Sequence, residues 1–277
     1  MIFENGGGPL SSCPANDISV GRFLEGSMEY AAIAHDFHEN GFGIIRGLFS
    51  SEELREVDGH LQSYLEESLS APESGEVYYE DAASRSVRCV FRMNQRSDYF
   101  EKLMWDQRLT ALAEALFPGG EVKADGMMLI DKAPRAAYEF PYHQDNAYQF
   151  WDPPEAVVAT LALDEATEDN GTIVCLKGSH TSPILPHRPS GVTGASLGLV
   201  DAPDLNRHSE VPLCMMPGDL SLHHVNVIHR TGPNRTDDHR RNLGFAFHSS
   251  RAKRDTEANA RYKERLEKTH ARSEKEN

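Results

Sequence analysis

No apolar run in this 277-residue chain approaches the roughly 20 residues that cross a bilayer, so no membrane partner is expected. The N-terminus, "MIFENGGGPLSSCPAND", has neither the basic start nor the apolar stretch of a secretory signal, and the expected location is cytoplasmic. Cysteine is scarce. Cys13, Cys89, Cys175 and Cys214 are scattered without C-x-x-C spacing, so they indicate neither a disulfide framework nor a zinc knuckle. Basic charge is also in deficit: 28 Lys and Arg stand against 43 Asp and Glu. The resulting −15 repels phosphate backbones and argues against nucleic acid as a partner. Repeats and low-complexity tracts are missing as well. What is present is an ordinary globular composition, 39% hydrophobic and 26% charged, enough to bury a core.

The texture changes near residue 120. Before it the pattern is mainly helical: "SMEYAAIAHDFHENG" has helical spacing and ends at Gly41, a C′ residue. Ser50 and Glu53 then form a capping box ahead of "LREVDGHLQSYLEESL". "DYFEKLMWDQRLTALAEALFPGG" reads as a third helix, stopped by Pro118 and Gly119. Beyond it, short apolar runs alternate with turn residues: "GMMLIDKAP", "YEFPYHQD", "AVVATLALDEA", "GTIVCLKG", "VPLCMMPGD", "LSLHHVNVIH" and "NLGFAFHSS". This is the pattern of an all-β sandwich or barrel. Thr181 to Glu210 lacks periodicity and reads as a long functional loop, a candidate lid. The charged tail reads as a solvated terminal helix.

Candidate chemistry lies in the β part. In "YHQDNAYQFW", His143 and Asp145 stand at i and i+2, which on an extended segment puts both side chains on one face. A metal on this pair needs a third ligand, and "PGDLSLHHVNVIHRTGPNRTDDHRRNLGF" offers His223, His224 and His229. If the strand is unbroken, His223 and His229 share a face, and alternation leaves both open. His229 is favoured by its C-terminal neighbours: Thr231, a "GPN" turn, and Arg240 returning on the next strand. Two histidines and one carboxylate with open positions form the facial triad of non-haem Fe(II) oxygenases. An arginine one strand away suits the far carboxylate of a dicarboxylate cosubstrate.

"MMLIDKAP", "YHQD", "LALDEATEDNGTIVCLKGSH", "PGDLSLHH" and "HRTGPNRTDDHRR", in this order from Gly126 to Phe247, resemble the phytanoyl-CoA dioxygenase family of Fe(II)/2-oxoglutarate-dependent oxygenases. The resemblance implies a mainly β fold with flanking helices, a double-stranded β-helix or cupin-like jelly roll. It implies one domain over 1–277, with a helical N-terminal part at about 20–120, a jelly-roll core at about 121–250 and a C-terminal helix at about 251–273. It also implies Fe(II) on His143, Asp145 and His229, and 2-oxoglutarate held by Arg240 and Thr231, with Met128 and Gln144 lining its pocket. Asp145 is intact, which sets the chain apart from halogenating relatives that carry a small residue there. The family's N-terminal basic contact falls on Arg88 or Arg92.

Phe140, Tyr142, Asn146, Tyr148 and Trp151 flank the motif and are the candidate substrate pocket, although most aromatic clusters are core. Arg241 is expected to face solvent, His180 and Asn170-Gly171 to serve turns, and His223 to stand behind the ligands. The expected activity is hydroxylation of an aliphatic C–H bond in a small molecule with O2, 2-oxoglutarate becoming succinate and CO2. The expected assembly is a monomer or homodimer. Two rivals are a zinc-dependent hydrolase, which leaves Arg240 and Thr231 without a task, and a metal-binding jelly roll without turnover. Oxygen consumption coupled to succinate formation separates the first reading from both.

Overall fold

The computed structural model describes residues 20–22, 30–70, 77–80, 86–192, 195–262 and 264. Its strands form a jelly roll of two opposed sheets. The major sheet runs, in spatial order, Val20–Arg22, Phe42–Arg46, Leu220–His224, Ala156–Ala162, Arg240–Ser249, Val122–Lys132, Val87–Phe91 and Val77–Tyr79. The minor sheet runs Glu210–Pro212, Ile173–Leu176, His229–Thr231 and Phe140–His143. Pairing is antiparallel throughout these two sheets except between Val20–Arg22 and Phe42–Arg46. Phe42 and Ile44 of the major sheet pack on Ile173 and Cys175 of the minor one, which closes the sandwich.

Strand alternation divides the major sheet into two unlike faces. Leu243, Phe245, Phe247, Met127, Leu129 and Leu161 point outward into a core covered by the helices Tyr30–Asn40, Ser51–Ser70, Asp98–Met104 and Gln107–Leu116. Arg240, Asn242, Gly244 and Ala246 alternate with them and point between the sheets. There the neighbours are small or incompletely covered: Gly126 pairs with Ala246, and Met128 and Ile130 are only half-buried although they lie mid-sheet. The interior between the sheets is therefore loosely filled beside Val122–Lys132, while the outer face is sealed by helices.

Several sequence expectations hold. Gly41, at φ +86°, ends the first helix with its N–H donating to Phe37 O, 2.8 Å away. The Ser50 and Glu53 capping box forms, with Ser50 N–H on Glu53 Oε2 at 2.7 Å and Glu53 N–H on Ser50 Oγ at 3.3 Å. Others are corrected. The third helix is two, because the Asp106 carboxylate caps a new start through Arg108 N–H at 2.8 Å. The N-terminal part is not purely helical, since Phe42–Arg46 and Val87–Phe91 extend the major sheet and share its core. Thr181 to Glu210 is not without periodicity: it carries the hairpin His187–Val192 with Ala195–Leu199. "LSLHHVNVIH" is not one strand, because the chain leaves the major sheet at His224 and enters the minor one at His229. Cys214 is disulfide-bonded, which the cysteine spacing gave no reason to expect, while Cys89 and Cys175 are free and buried. Of the expected C-terminal helix, residues 256–262 are described as helical, and most of the rest lies outside the described residues. No described helix is long and apolar enough to cross a membrane.

Candidate active site

His143 ends its minor-sheet strand directly opposite His229, which begins the neighbouring one. Asp145 is not on the extended segment. It has helical angles, φ −59° and ψ −34°, and starts the short helix Asn146–Gln149, so a turn rather than alternation brings its carboxylate back to His143. The ligating atoms of His143, Asp145 and His229 lie within 4.8 Å of one another. His143 Nε2 and His229 Nε2 stand 3.5 and 3.8 Å from Asp145 Oδ1. Each ring turns its Nδ1 to a backbone carbonyl, Pro141 O at 2.8 Å and Val227 O at 3.1 Å. Donation from Nδ1 leaves Nε2 as the lone-pair nitrogen facing the centre, the arrangement that metal-binding histidines adopt. Burial and the neighbouring His143 and His223 push the His229 imidazole well below its usual pKa, so it stays neutral. Burial raises the Asp145 carboxyl, but the His229, His143 and His223 imidazoles around it outweigh burial and hold Asp145 well below the usual range.

The third histidine is in the site as well. His223 Nε2 lies 3.2 Å from Asp145 Oδ2, with its ring centroid 4.5 Å from that of His229. His224 turns the other way and packs against Phe37 and His180.

Arg240 enters the major sheet opposite Lys132 and is 1% exposed. Its Nη2 donates to Gly171 O at 3.1 Å, and no carboxylate pairs with it among the described residues. Arg240 Nε and Thr231 Oγ1 are both buried without a hydrogen-bond partner among the described residues. Two orphaned donors, one from each sheet, are what a buried ligand carboxylate between them would satisfy, and an unpaired buried guanidinium is costly otherwise. Lys132, also buried, donates to Tyr138 O at 3.3 Å and to Gly232 O, and lies 5.5 Å from the Phe140 ring. Burial and the Arg240 charge push its ammonium down to about 6. The residues present thus fit both groups that the sequence implies, a metal on neutral imidazole and carboxylate, and a dicarboxylate at a cationic end.

Residues 37–242 match the family model described as Phytanoyl-CoA dioxygenase (PhyH). The chain belongs to the phytanoyl-CoA dioxygenase family. It is a dioxygenase of the iron- and 2-oxoglutarate-dependent class. It is 26% identical over 240 residues to a probable phytanoyl-CoA dioxygenase of Caenorhabditis elegans, covering 80% of this chain and 76% of that one. It is 28% identical over 235 residues to the peroxisomal phytanoyl-CoA dioxygenase of Rattus norvegicus, covering 78% and 68%. Among solved structures, the epimerase SnoN in complex with Fe3+, alpha ketoglutarate and nogalamycin RO superposes with a TM-score of 0.64 at 21% identity, over 80% of this chain and 84% of that one.

The other sequence candidates of this phytanoyl-CoA dioxygenase family member fall in distinct places. Met128 lies on the inner face beside Gly244. Gln144 is fully buried, and its amide is taken up by Asn226 O at 2.9 Å and Leu185 N–H at 2.9 Å, so it ties the metal motif to the segment after Thr181. Arg88 is buried, with its guanidinium 4.0 Å from the Tyr138 ring centre, whereas Arg92 is exposed. Tyr148 reaches the centre, its hydroxyl donating to Asp145 Oδ1. Phe140 lies beside Lys132, and Tyr142 instead reaches Glu210 and Arg230. Asn146 and Trp151 hold each other, Nδ2 on Trp151 O at 3.0 Å and Trp151 N–H on Asn146 Oδ1 at 2.6 Å. Arg241 is not solvent-facing: it ion-pairs with Asp164 at 2.8 Å and Asp58 at 2.5 Å, stapling Ser51–Ser70 to the sheet. Asn170 serves its turn as expected, binding Thr167 N–H and Glu165 O, each at 2.8 Å.

Two residues near the site carry no evident signal in the sequence. Lys132 stands in "MMLIDKAP" without an assigned task, although alternation from Met128 puts it on the same face. Tyr262, from the tail expected to be solvated, is buried against Tyr148, ring centres 6.2 Å apart. No periodicity in that charged tail signals the contact.

Proposed function

We propose that the protein hydroxylates an aliphatic C–H bond of a small molecule, consuming O2 and converting 2-oxoglutarate to succinate and CO2. The observation that carries this reading is the coexistence of a two-histidine, one-carboxylate cluster with the orphaned Arg240 Nε and Thr231 Oγ1. His143, Asp145 and His229 would hold the metal. Arg240 and Thr231 would bind the distal carboxylate of 2-oxoglutarate, with Met128 against its chain and Arg88 adding positive potential. When bound, iron(II) with 2-oxoglutarate supplies oxygen activation driven by oxidative decarboxylation of the oxo acid.

The chain's own part is to bind, orient and exclude water. His143 and His229 are fixed by their Nδ1 hydrogen bonds, so both Nε2 atoms stay turned toward Asp145. Phe140 and Tyr148 would wall the substrate side. A zinc hydrolase is disfavoured because it gives the buried Arg240 no anion. A cytoplasmic location and a monomeric or homodimeric state belong to the same proposal. The test is a screen of small molecules against the Fe(II)-loaded protein for substrate-stimulated succinate release matched by oxygen uptake. Hydrolysis products without oxygen uptake would replace this reading with the zinc one.

A further inference from the structure

Three imidazoles, not two, converge on Asp145, and they divide its oxygens. His143 and His229 face Oδ1, at 3.5 and 3.8 Å. His223 faces Oδ2, at 3.2 Å, and is not part of the three-group cluster whose ligating atoms lie within 4.8 Å. It sits on the inner face of Leu220–His224, opposite Phe42 and Val158, and is 3% exposed. Its Nδ1 has no partner among the described residues. With a carboxylate oxygen on one ring nitrogen and nothing on the other, the imidazole proton belongs on Nε2, donated to Oδ2.

We infer that His223 is a positioning residue that holds Asp145 as a one-oxygen ligand. A carboxylate turns about its Cβ–Cγ bond, and without a partner on Oδ2 both oxygens are free to approach the metal. Two-oxygen binding by Asp145 would take up a position that a chelating oxo acid and O2 need. A donor fixed on Oδ2 keeps that oxygen turned away and leaves Oδ1 for the metal. Tyr148 contributes from the other side, its hydroxyl on Oδ1 limiting how far the carboxylate swings. The inference rests on the metal assignment proposed above and adds a residue to it.

The test is Co(II) binding to the full chain, read as a dissociation constant and a visible absorption spectrum, with thermal unfolding as a folding check. His223→Leu is expected to weaken Co(II) binding roughly 10- to 100-fold, the usual effect of losing a partner of a metal ligand, and to change the spectrum. His223→Gln, whose amide N–H reaches close to the Nε2 position, should recover most of both. His223→Asn, with the shorter side chain, should behave like Leu and replaces it if the Leu variant does not fold. A Leu or Asn variant with wild-type affinity and spectrum overturns the role of His223, as does a Gln variant no better than Leu. A wild-type chain that binds no Co(II) overturns the metal assignment itself, so the two failures are distinguishable.

Discussion

Asp145 accepts from both sides while two imidazole nitrogens face its Oδ1, so removing it leaves three histidines with no anion between them. Asp145→Ala and His229→Ala should each abolish Fe(II)-dependent turnover with the fold intact, as circular dichroism and succinate assays would show. Near-normal turnover in both would sink the proposed ligand set. Arg240→Ala should raise the apparent KM for 2-oxoglutarate far more than it weakens metal binding. The cost is on the order of 2 to 5 kcal/mol, because the ligand carboxylate is left buried and unpaired. Unchanged 2-oxoglutarate dependence would place the anchor elsewhere. The cluster that the structure brings together was largely legible, since a metal site calls for particular residue types in a fixed order. His229 was favoured over His223 only by the residues that follow it. Alternation treats the two as equivalent, and the break in the strand after His224 that separates them is a backbone event with no local signature.

Gly171 shows how a turn carries a functional side chain. Its φ is +77°, a Cβ there would run into the carbonyl of Gly232, and its own carbonyl accepts from Arg240. Gly171→Ala should therefore cost more than about 1 kcal/mol of stability, because the backbone cannot relax to a conformation suited to alanine. It should also raise the KM for 2-oxoglutarate by displacing Arg240. Urea unfolding and steady-state kinetics would check both, and a stable variant with wild-type KM would contradict them. The hairpin of His187–Val192 and Ala195–Leu199 reaches the metal motif through His187 Nε2, which accepts Gln144 N–H at 3.0 Å. Cleavage between Ser190 and Asn206 should slow when metal, 2-oxoglutarate and substrate are all present, as for a lid that excludes water. Equal cleavage rates would remove the lid role. Elements with strong local signals, the capped helices and the apolar strands, were readable. This hairpin was not, because its Pro, Gly and Ser residues mask the alternation and its order comes from docking on Gln144 and the Phe140–His143 strand.

The whole molecule carries a pH dependence set by histidines that fold buried and neutral. Burial, with His180 and His38 nearby, pushes the His224 imidazole down to about 3. An unfolded histidine takes up its proton near 6.5, so between about 3 and 6.5 the unfolded chain holds more protons and stability falls as pH falls. From pH 7 to 5 this one residue should account for about 2 kcal/mol, with His229, His180 and His187 pushed the same way. Urea midpoints at the two pH values would show it. His224→Asn, which keeps an acceptor for the Asn226 N–H, should flatten the dependence by that share. The architecture was legible as a β core beside helices. The sharing of one hydrophobic core between the two was not, because the strands that join them lie far apart in sequence. The unlike faces of the major sheet also bear on how this protein can change. A Cβ at Gly126 meets nothing within 4 Å, and Gly126 and Ala246 sit side by side on the half-empty face, away from the helix-sealed core. Bulk added at Gly126 enters that space and leaves the helix-sealed packing untouched. If the proposed reaction takes place between the sheets, its selectivity can drift, or be engineered, at a position where stability imposes little veto.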